Sequence, residues 1–384
     1  MPVTGLLASL TLIGSTVAGV APAVHSPARA AAPAAAHAPA KTSRPAAHPA
    51  SSTHAALRIS DAKLLGQRIM VGMDGTYPSA SLLRDVRAGR VGSVILFAPN
   101  IVSRSQLSRL TDALQASARA GGNPPLLIAT DQEGGQVKRL PNGPPRLSPP
   151  RIAATGSSSV AYNEGHDTGR YLKGLGINWD LAPVLDVPTF SGAFIWHQGR
   201  AFSFNANSVA QYGTQFAVGL QSGGAAACGK HFPGVGSAAI DTDFKLNKLR
   251  PTKAQRDAAL IPYRAAIPRG LDSVMVSTAA FPAYDRSGAV TALSRQLIQV
   301  WLRKRLGFKG VTITDALGTP TGHDERTAGV LAARAGADVL LYTDAAPGEL
   351  SALESDLAHA RMSRSEADAS YERIVALKRR VAGA

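Results

Sequence analysis

The chain has 384 residues, 45% of them hydrophobic, enough to bury a large core in one big α/β domain or two smaller ones. Its single cysteine, Cys228, excludes an intramolecular disulfide framework and lies in the small apolar run 225–229, where a buried residue fits better than a nucleophile. The formal charge of +15 lies almost wholly beyond residue 56, a balance suited to anionic cell-wall polymers or phosphates. Aromatic residues make up only 5%, and no helix-turn-helix, RNA-recognition or zinc-knuckle pattern occurs, so nucleic acid is not an expected partner.

Residues 5–18 form an apolar run too short and too rich in Gly and Ser for a membrane span. The run reads as the core of a secretory signal peptide over residues 1–30, with small-x-small cleavage sites at Ala21-Pro22-Ala23 and Ala28-Arg29-Ala30, although no Lys or Arg precedes it. A secreted, cell-wall-associated protein with no stable membrane span after cleavage is therefore expected. Residues 31–56, almost all Ala, Pro, Ser, His and Thr, read as a disordered or semi-rigid linker, and residues 57–384 as the folded domain.

From residue 57 onward, short β-branched runs alternate with longer amphipathic ones. Strands are expected at 67–72, 91–97, 125–130, 176–181, 224–228, 273–277, 311–314 and 337–342. Among the intervening helices, 105–120 places Leu107, Leu110 and Leu114 at spacings of three and four. Regular βα alternation implies a parallel sheet with helical crossovers. A count of eight favours a single-domain α/β fold of the (β/α)8 TIM-like barrel type over an open doubly wound sheet, and no dinucleotide fingerprint follows the first strand.

In such a barrel, chemistry gathers at the carboxyl ends of the strands. Polar residues cluster there at 131–135, at 180–186, at Lys230-His231 and at Asp315. Each has a structural alternative. Asp131-Gln132-Glu133-Gly134-Gly135 reads as a site loop or as an acidic cap on a helix. Lys230-His231 reads as a ligand-holding pair, since a lysine at that depth needs an acceptor, or as a core histidine beside a snorkelling lysine. Asp315 either faces a ligand or caps a helix opening at Ala316-Leu317. No cluster with metal-ligand spacing occurs.

Five blocks carry a family likeness in order: Asp131-Gln132-Glu133-Gly134-Gly135, Ala182-Pro183-Val184-Leu185-Asp186, Gly199-Arg200-Ala201-Phe202-Ser203, Gly229-Lys230-His231-Phe232-Pro233-Gly234 and Thr312-Ile313-Thr314-Asp315-Ala316-Leu317. With these blocks the chain resembles glycoside hydrolase family 3, specifically its single-barrel bacterial β-N-acetylglucosaminidase branch. The resemblance implies a pocket for one terminal β-linked N-acetylhexosamine on a cell-wall-type glycan. Asp131, Arg139, Arg200, Lys230 and His231 match sugar-binding positions. Asp315 matches the nucleophile of a retaining reaction that passes through a covalent glycosyl-enzyme and needs no cofactor.

Several positions depart from the family pattern. The general acid/base histidine corresponds to Asp243, with Asp241 as its neighbour in Asp241-Thr242-Asp243. Val235 and Thr278 stand where the family carries histidines, Gln136 where it carries an arginine, and Leu317-Gly318-Thr319-Pro320 replaces a methionine-bearing segment. Three readings follow. Asp243 replaces the histidine as acid/base; or no acid/base exists and turnover needs a good leaving group or an external nucleophile such as phosphate; or the protein binds sugar without cleaving it.

Overall fold

Eight short parallel strands follow one another around a ring in the order of the sequence. They are β1 Ile69–Val71, β2 Ser93–Ile95, β3 Leu127–Thr130, β4 Trp179–Asp180, β5 Ala226–Phe232, β6 Ser273–Val276, β7 Val311–Thr314 and β8 Leu340–Tyr342. The computed structural model describes residues 59–343 and 348–383; the signal and linker expected over residues 1–56 lie outside the described residues. Met70 of β1 pairs with Ser93 on one side and Leu341 on the other. The seam between β7 and β8 is closed by an Ile313–Val339 bridge, with Thr314 N–H donating to Val339 O at 3.0 Å. The fold is the expected (β/α)8 barrel.

Strand alternation sorts the core into two layers. Met70, Ile95, Trp179, Cys228, Met275 and Ile313 point into the barrel, whereas Ile69, Val71, Val94, Ile128 and Val274 point out beneath the helices. Cys228 is fully buried there, as its apolar run suggests. The helix Arg104–Ala120 begins one residue before the expected start because Ser103 caps it, accepting from Gln106 N–H at 3.1 Å. It buries Leu107, Leu110 and Leu114. The helices Ser158–Lys173 and Ala206–Ser222 touch backbone to backbone. A Cβ on Gly165 or Gly219 would stand 2.2 Å from Phe216 O and 2.0 Å from Tyr162 O, so only glycine permits the approach.

Two boundaries differ from the expected ones in ways that matter for the site. The run at 224–228 continues as a strand through Lys230 and His231 to Phe232, because the irregular segment 182–184 keeps pairing with it: Cys228 N–H donates to Ala182 O at 2.7 Å and Lys230 N–H to Pro183 O at 3.1 Å. The helix expected to open at 316–317 starts only at Glu325, capped by Asp324, which accepts from Thr327 N–H. Asp315 is thus not a helix cap. The chain turns there instead, with Thr319 N–H donating to Ala316 O at 3.1 Å.

The final helix, Arg364–Gly383, covers the amino-terminal face of the barrel. Ile374, Leu377 and Val381 pack against the interior cluster. Three of its cations hold positions just before the strands: Lys378 Nζ donates to Gly92 O at 2.7 Å, Arg373 pairs with Asp338 at 2.7 Å and Arg380 with Asp272 at 2.6 Å. With this face plugged, the interior is left open at the carboxyl ends of the strands.

Candidate active site

At those carboxyl ends lies a cavity of about 490 Å³. Its walls contain all eight residues singled out from the sequence: Asp131, Arg139, Arg200, Lys230, His231, Asp241, Asp243 and Asp315. They arrive on different elements. Asp131 follows β3, Lys230 and His231 belong to β5, and Asp315 follows β7.

The inner wall is a buried ion cluster. Lys230 Nζ lies 2.7 Å from Asp131 Oδ1 and 2.6 Å from Glu133 Oε1. Arg200 grips Glu133 through two nitrogens, Nε to Oε2 at 2.6 Å and Nη2 to Oε1 at 2.9 Å. Burial works against ionising both carboxylates. Nevertheless Lys230 and Arg139 hold Asp131 below the ordinary range, and Arg200 and Lys230 do the same for Glu133. Burial likewise opposes charge on Lys230 and Arg200, and the same carboxylates overcome it and raise both. Two cations thus balance two carboxylates, which lets four charges share a dry wall. Arg139 adds a longer contact, Nη2 to Asp131 Oδ2 at 3.5 Å, and sits over the Phe97 ring at 5.5 Å.

Local backbone chemistry explains how Glu133 reaches Arg200. The segment after β3 is not a helix cap; Gln132–Gly134 pairs antiparallel with Val137–Lys138 as a small hairpin. Gly134 and Gly135 take φ of +88° and +66°, and a Cβ on Gly135 would stand 2.3 Å from Gly199 O. The Gly-Gly turn therefore lets the hairpin press against 198–200, where Gln136 N–H donates to Gln198 O at 3.0 Å. Gln136 is exposed and lines the cavity.

His231 is held from behind by Asp186, a residue the sequence placed near strand ends without a role. Its Nδ1 lies 2.7 Å from Asp186 Oδ2, while Arg200 Nη2 lies 3.2 Å from Nε2. Because arginine can only donate, Nε2 accepts and Nδ1 donates to Asp186. Asp186 Oδ1 also accepts from Val235 N–H at 2.8 Å. Deeper still, Asp180 accepts from Gln132 N–H at 2.9 Å, and burial pushes its carboxyl up to about 8.

The outer wall is the 241–243 loop. Gln198 Nε2 donates to Asp241 Oδ2 at 2.8 Å while its Oε1 accepts from Arg200 Nη1 at 2.9 Å, so one amide links the ion cluster to the loop. Asp243 N–H donates to Asp241 Oδ1 at 3.2 Å. Asp243 keeps contact with solvent, yet partial desolvation in the cavity, followed by the charges of Asp315 and Asp241, pushes its carboxyl up to about 6 against the pull of His231 and Arg200. Asp315 lines the same cavity; its N–H donates to Val276 O at 2.9 Å, and its Oδ1 accepts from Ala316 N–H at 2.9 Å. Thr278 is buried with its hydroxyl unpartnered among the described residues and does not line the cavity.

Glu133 and Asp186 lie in clusters that the sequence marked without giving either a role, and Gln198 escaped the sequence reading. Glu133 was visible as a second carboxylate in a buried block. Gln198 carried no signal of its own, because its role depends on two partners distant from each other in the chain. Among the described residues, no group of three His, Cys, Asp or Glu side chains could hold a metal ion.

With this geometry in place, the comparisons with known proteins are decisive for the family. Residues 62–377 match the Glycosyl hydrolase family 3 N terminal domain. The chain belongs to glycosyl hydrolase family 3. It is 35% identical over 346 residues to an uncharacterized secreted glycosyl hydrolase of Arthroderma benhamiae, spanning 85% of this chain and 95% of that one. Among solved structures, a family 3 β-N-acetylglucosaminidase from a Paenibacillus species superposes with a TM-score of 0.80 at 33% identity, over 85% of this chain and 63% of that chain. A β-N-acetylhexosaminidase from Beutenbergia cavernae superposes with a TM-score of 0.76 at 29% identity, over 84% of this chain and 99% of that chain. This family 3 chain thus spans less than two thirds of the Paenibacillus protein and nearly all of the Beutenbergia one. Among its described residues, no helix is long and apolar enough to cross a membrane.

Proposed function

We propose that this family 3 protein is an exported hydrolase that removes a terminal β-linked N-acetylhexosamine, N-acetylglucosamine in particular, from cell-wall-type glycans with retention of configuration. The observation that carries the reading is the joint placement of Asp243 and Asp315 on one cavity with the Asp131–Lys230–Glu133–Arg200 cluster. The cluster, with Arg139 and His231, offers charged donors and acceptors to the hydroxyls of one sugar. Asp315, as carboxylate, attacks the anomeric carbon while the protonated Asp243 gives its proton to the departing glycosidic oxygen. Asp243, now a carboxylate, takes a proton from the water that displaces Asp315, and two inversions leave the configuration retained. Asp241 supports this role by adding negative charge beside Asp243.

The two solved relatives named above are a β-N-acetylglucosaminidase and a β-N-acetylhexosaminidase, which supports the substrate class. The secreted relative and the basic charge support export and contact with anionic wall polymers. A second reading, a sugar binder with little turnover, is favoured by the solvent exposure of Asp243 at a position where the family carries histidine. The deciding experiment incubates wild type and Asp315→Asn with N-acetylglucosaminyl fluoride. The hydrolase reading expects turnover and a glycosyl adduct on Asp315 by mass spectrometry in wild type alone. Equal null rates with intact N-acetylglucosamine binding in both proteins would establish the binder. Repeating the assay with phosphate separates hydrolysis from phosphorolysis.

A further inference from the structure

We propose that Phe244 is the platform of a second sugar subsite at the cavity mouth, which takes the next pyranose of the glycan beyond the scissile bond. The inference rests on the reading of Asp243 as the acid. A residue that protonates the glycosidic oxygen stands at the boundary between the two sugars, so an exposed ring on the same loop that also lines the cavity is a candidate contact for the leaving group.

Phe244 follows Asp243 directly, lines the cavity and is 81% exposed. Other large apolar side chains are exposed among the described residues, but Tyr77, Phe190 and Phe204 do not line the cavity, and Phe204 packs on Trp196 with ring centroids 4.3 Å apart. Gln136 and Thr319 also line the cavity, and the Thr319 hydroxyl, which donates to Ala316 O at 2.7 Å, keeps its lone pairs to accept. An aromatic face together with an amide and a hydroxyl matches a pyranose with equatorial substituents, which presents a C–H face to stack and a hydroxyl rim to hydrogen-bond. The ligand class is therefore a β-linked gluco-configured sugar chain rather than an alkyl or peptide aglycone.

The test measures kcat/KM for wild type, Phe244→Ala and Phe244→Tyr on the β-1,4-linked disaccharide of N-acetylglucosamine and on N-acetylglucosaminyl fluoride, whose one-atom leaving group cannot reach the platform. Phe244→Ala is expected to lower the disaccharide-to-fluoride ratio roughly three- to tenfold, and Phe244→Tyr to keep it. An unchanged ratio, or equal losses on both substrates, would overturn the subsite, the latter because the ring would then merely support the loop. If wild type turns over neither substrate, the hydrolase reading fails, and calorimetry decides the subsite independently. Wild type should then bind the disaccharide more tightly than the monosaccharide, with Phe244→Ala erasing the difference. No preference in wild type, or one that survives in the variant, would overturn it.

Discussion

Replacing Asp243 by alanine tests the least conventional part of the site. A carboxyl that titrates at about 6 is protonated in roughly one molecule in ten at pH 7, against roughly one in a thousand for an aspartate at its ordinary value. The cavity therefore enlarges the acid-competent fraction about a hundredfold. Because this pKa is raised, the proton is present below pH 6 and lost above it. In wild type, kcat/KM on a disaccharide should fall about tenfold per pH unit above 6, while on the glycosyl fluoride, which needs no proton, it should stay flat there. The alanine variant should lose ~10²–10⁴-fold on the disaccharide, much less in forming the glycosyl-enzyme from the fluoride, and regain turnover with azide as an external nucleophile. The assay is a pH series of both proteins on both substrates. Equal losses on the two substrates, or a basic limb that persists in the variant, would remove Asp243 from the acid role.

Three further outcomes follow from the buried contacts. Glu133→Gln leaves Lys230 and Arg200 facing each other with half their compensation gone, so a destabilisation on the order of 3–5 kcal/mol by chemical denaturation and a marked loss of N-acetylglucosamine affinity are expected; retention of both would mean the cluster relaxes. Gln198→Ala cuts the link between Arg200 and Asp241, and should slow the disaccharide about tenfold more than the fluoride, since a loop displaced by about 1 Å misplaces the proton donor. Lys378 is buried, its Nζ donates to Gln67 Oε1 at 2.6 Å and Gly92 O at 2.7 Å, and burial pulls its amine down to about 7. The unfolded chain holds that proton up to about pH 10.4, so between about pH 8 and 10 stability should rise with pH, and Lys378→Met should flatten the rise in a denaturation series.

The barrel was legible because strand and helix periods differ and because eight apolar runs recur between amphipathic ones. The strand ends were less so. At 224–232 the chain changes from apolar to charged at Lys230, which mimics a strand end, but hydrogen bonds donated to Ala182 O and Pro183 O carry the pairing on to Phe232. At Asp315 the following Ala-Leu pair mimics the start of a helix, whereas Asp324 supplies the actual cap. Asp131, Lys230, His231 and Asp315 meet in one cavity because position on a barrel strand end is a property of sequence order, and Arg139, Arg200, Asp241 and Asp243 reach the same cavity from loops. Their pairwise contacts were not legible. That Glu133 meets Arg200, and that Asp186 holds His231, depends on the hairpin turn at Gly134-Gly135 and on the path of residues 182–186, neither of which local propensity specifies.

The departures from the family pattern fall where the structure tolerates them. The contact that residue 235 makes to Asp186 uses its backbone N–H, so valine there leaves the hold on His231 intact. Asp243, where the family resemblance implies a histidine, lies on a loop outside the barrel, within the field of Asp315 and Asp241. Neighbouring carboxylates raise the pKa of whichever titratable group stands among them. They would keep an imidazole protonated, and they lift an aspartate to about 6, within reach of the pH at which it must donate. One electrostatic setting thus serves either side chain. The difference left between the two is reach, which is set by the loop that Gln198 and Asp241 tie to the barrel.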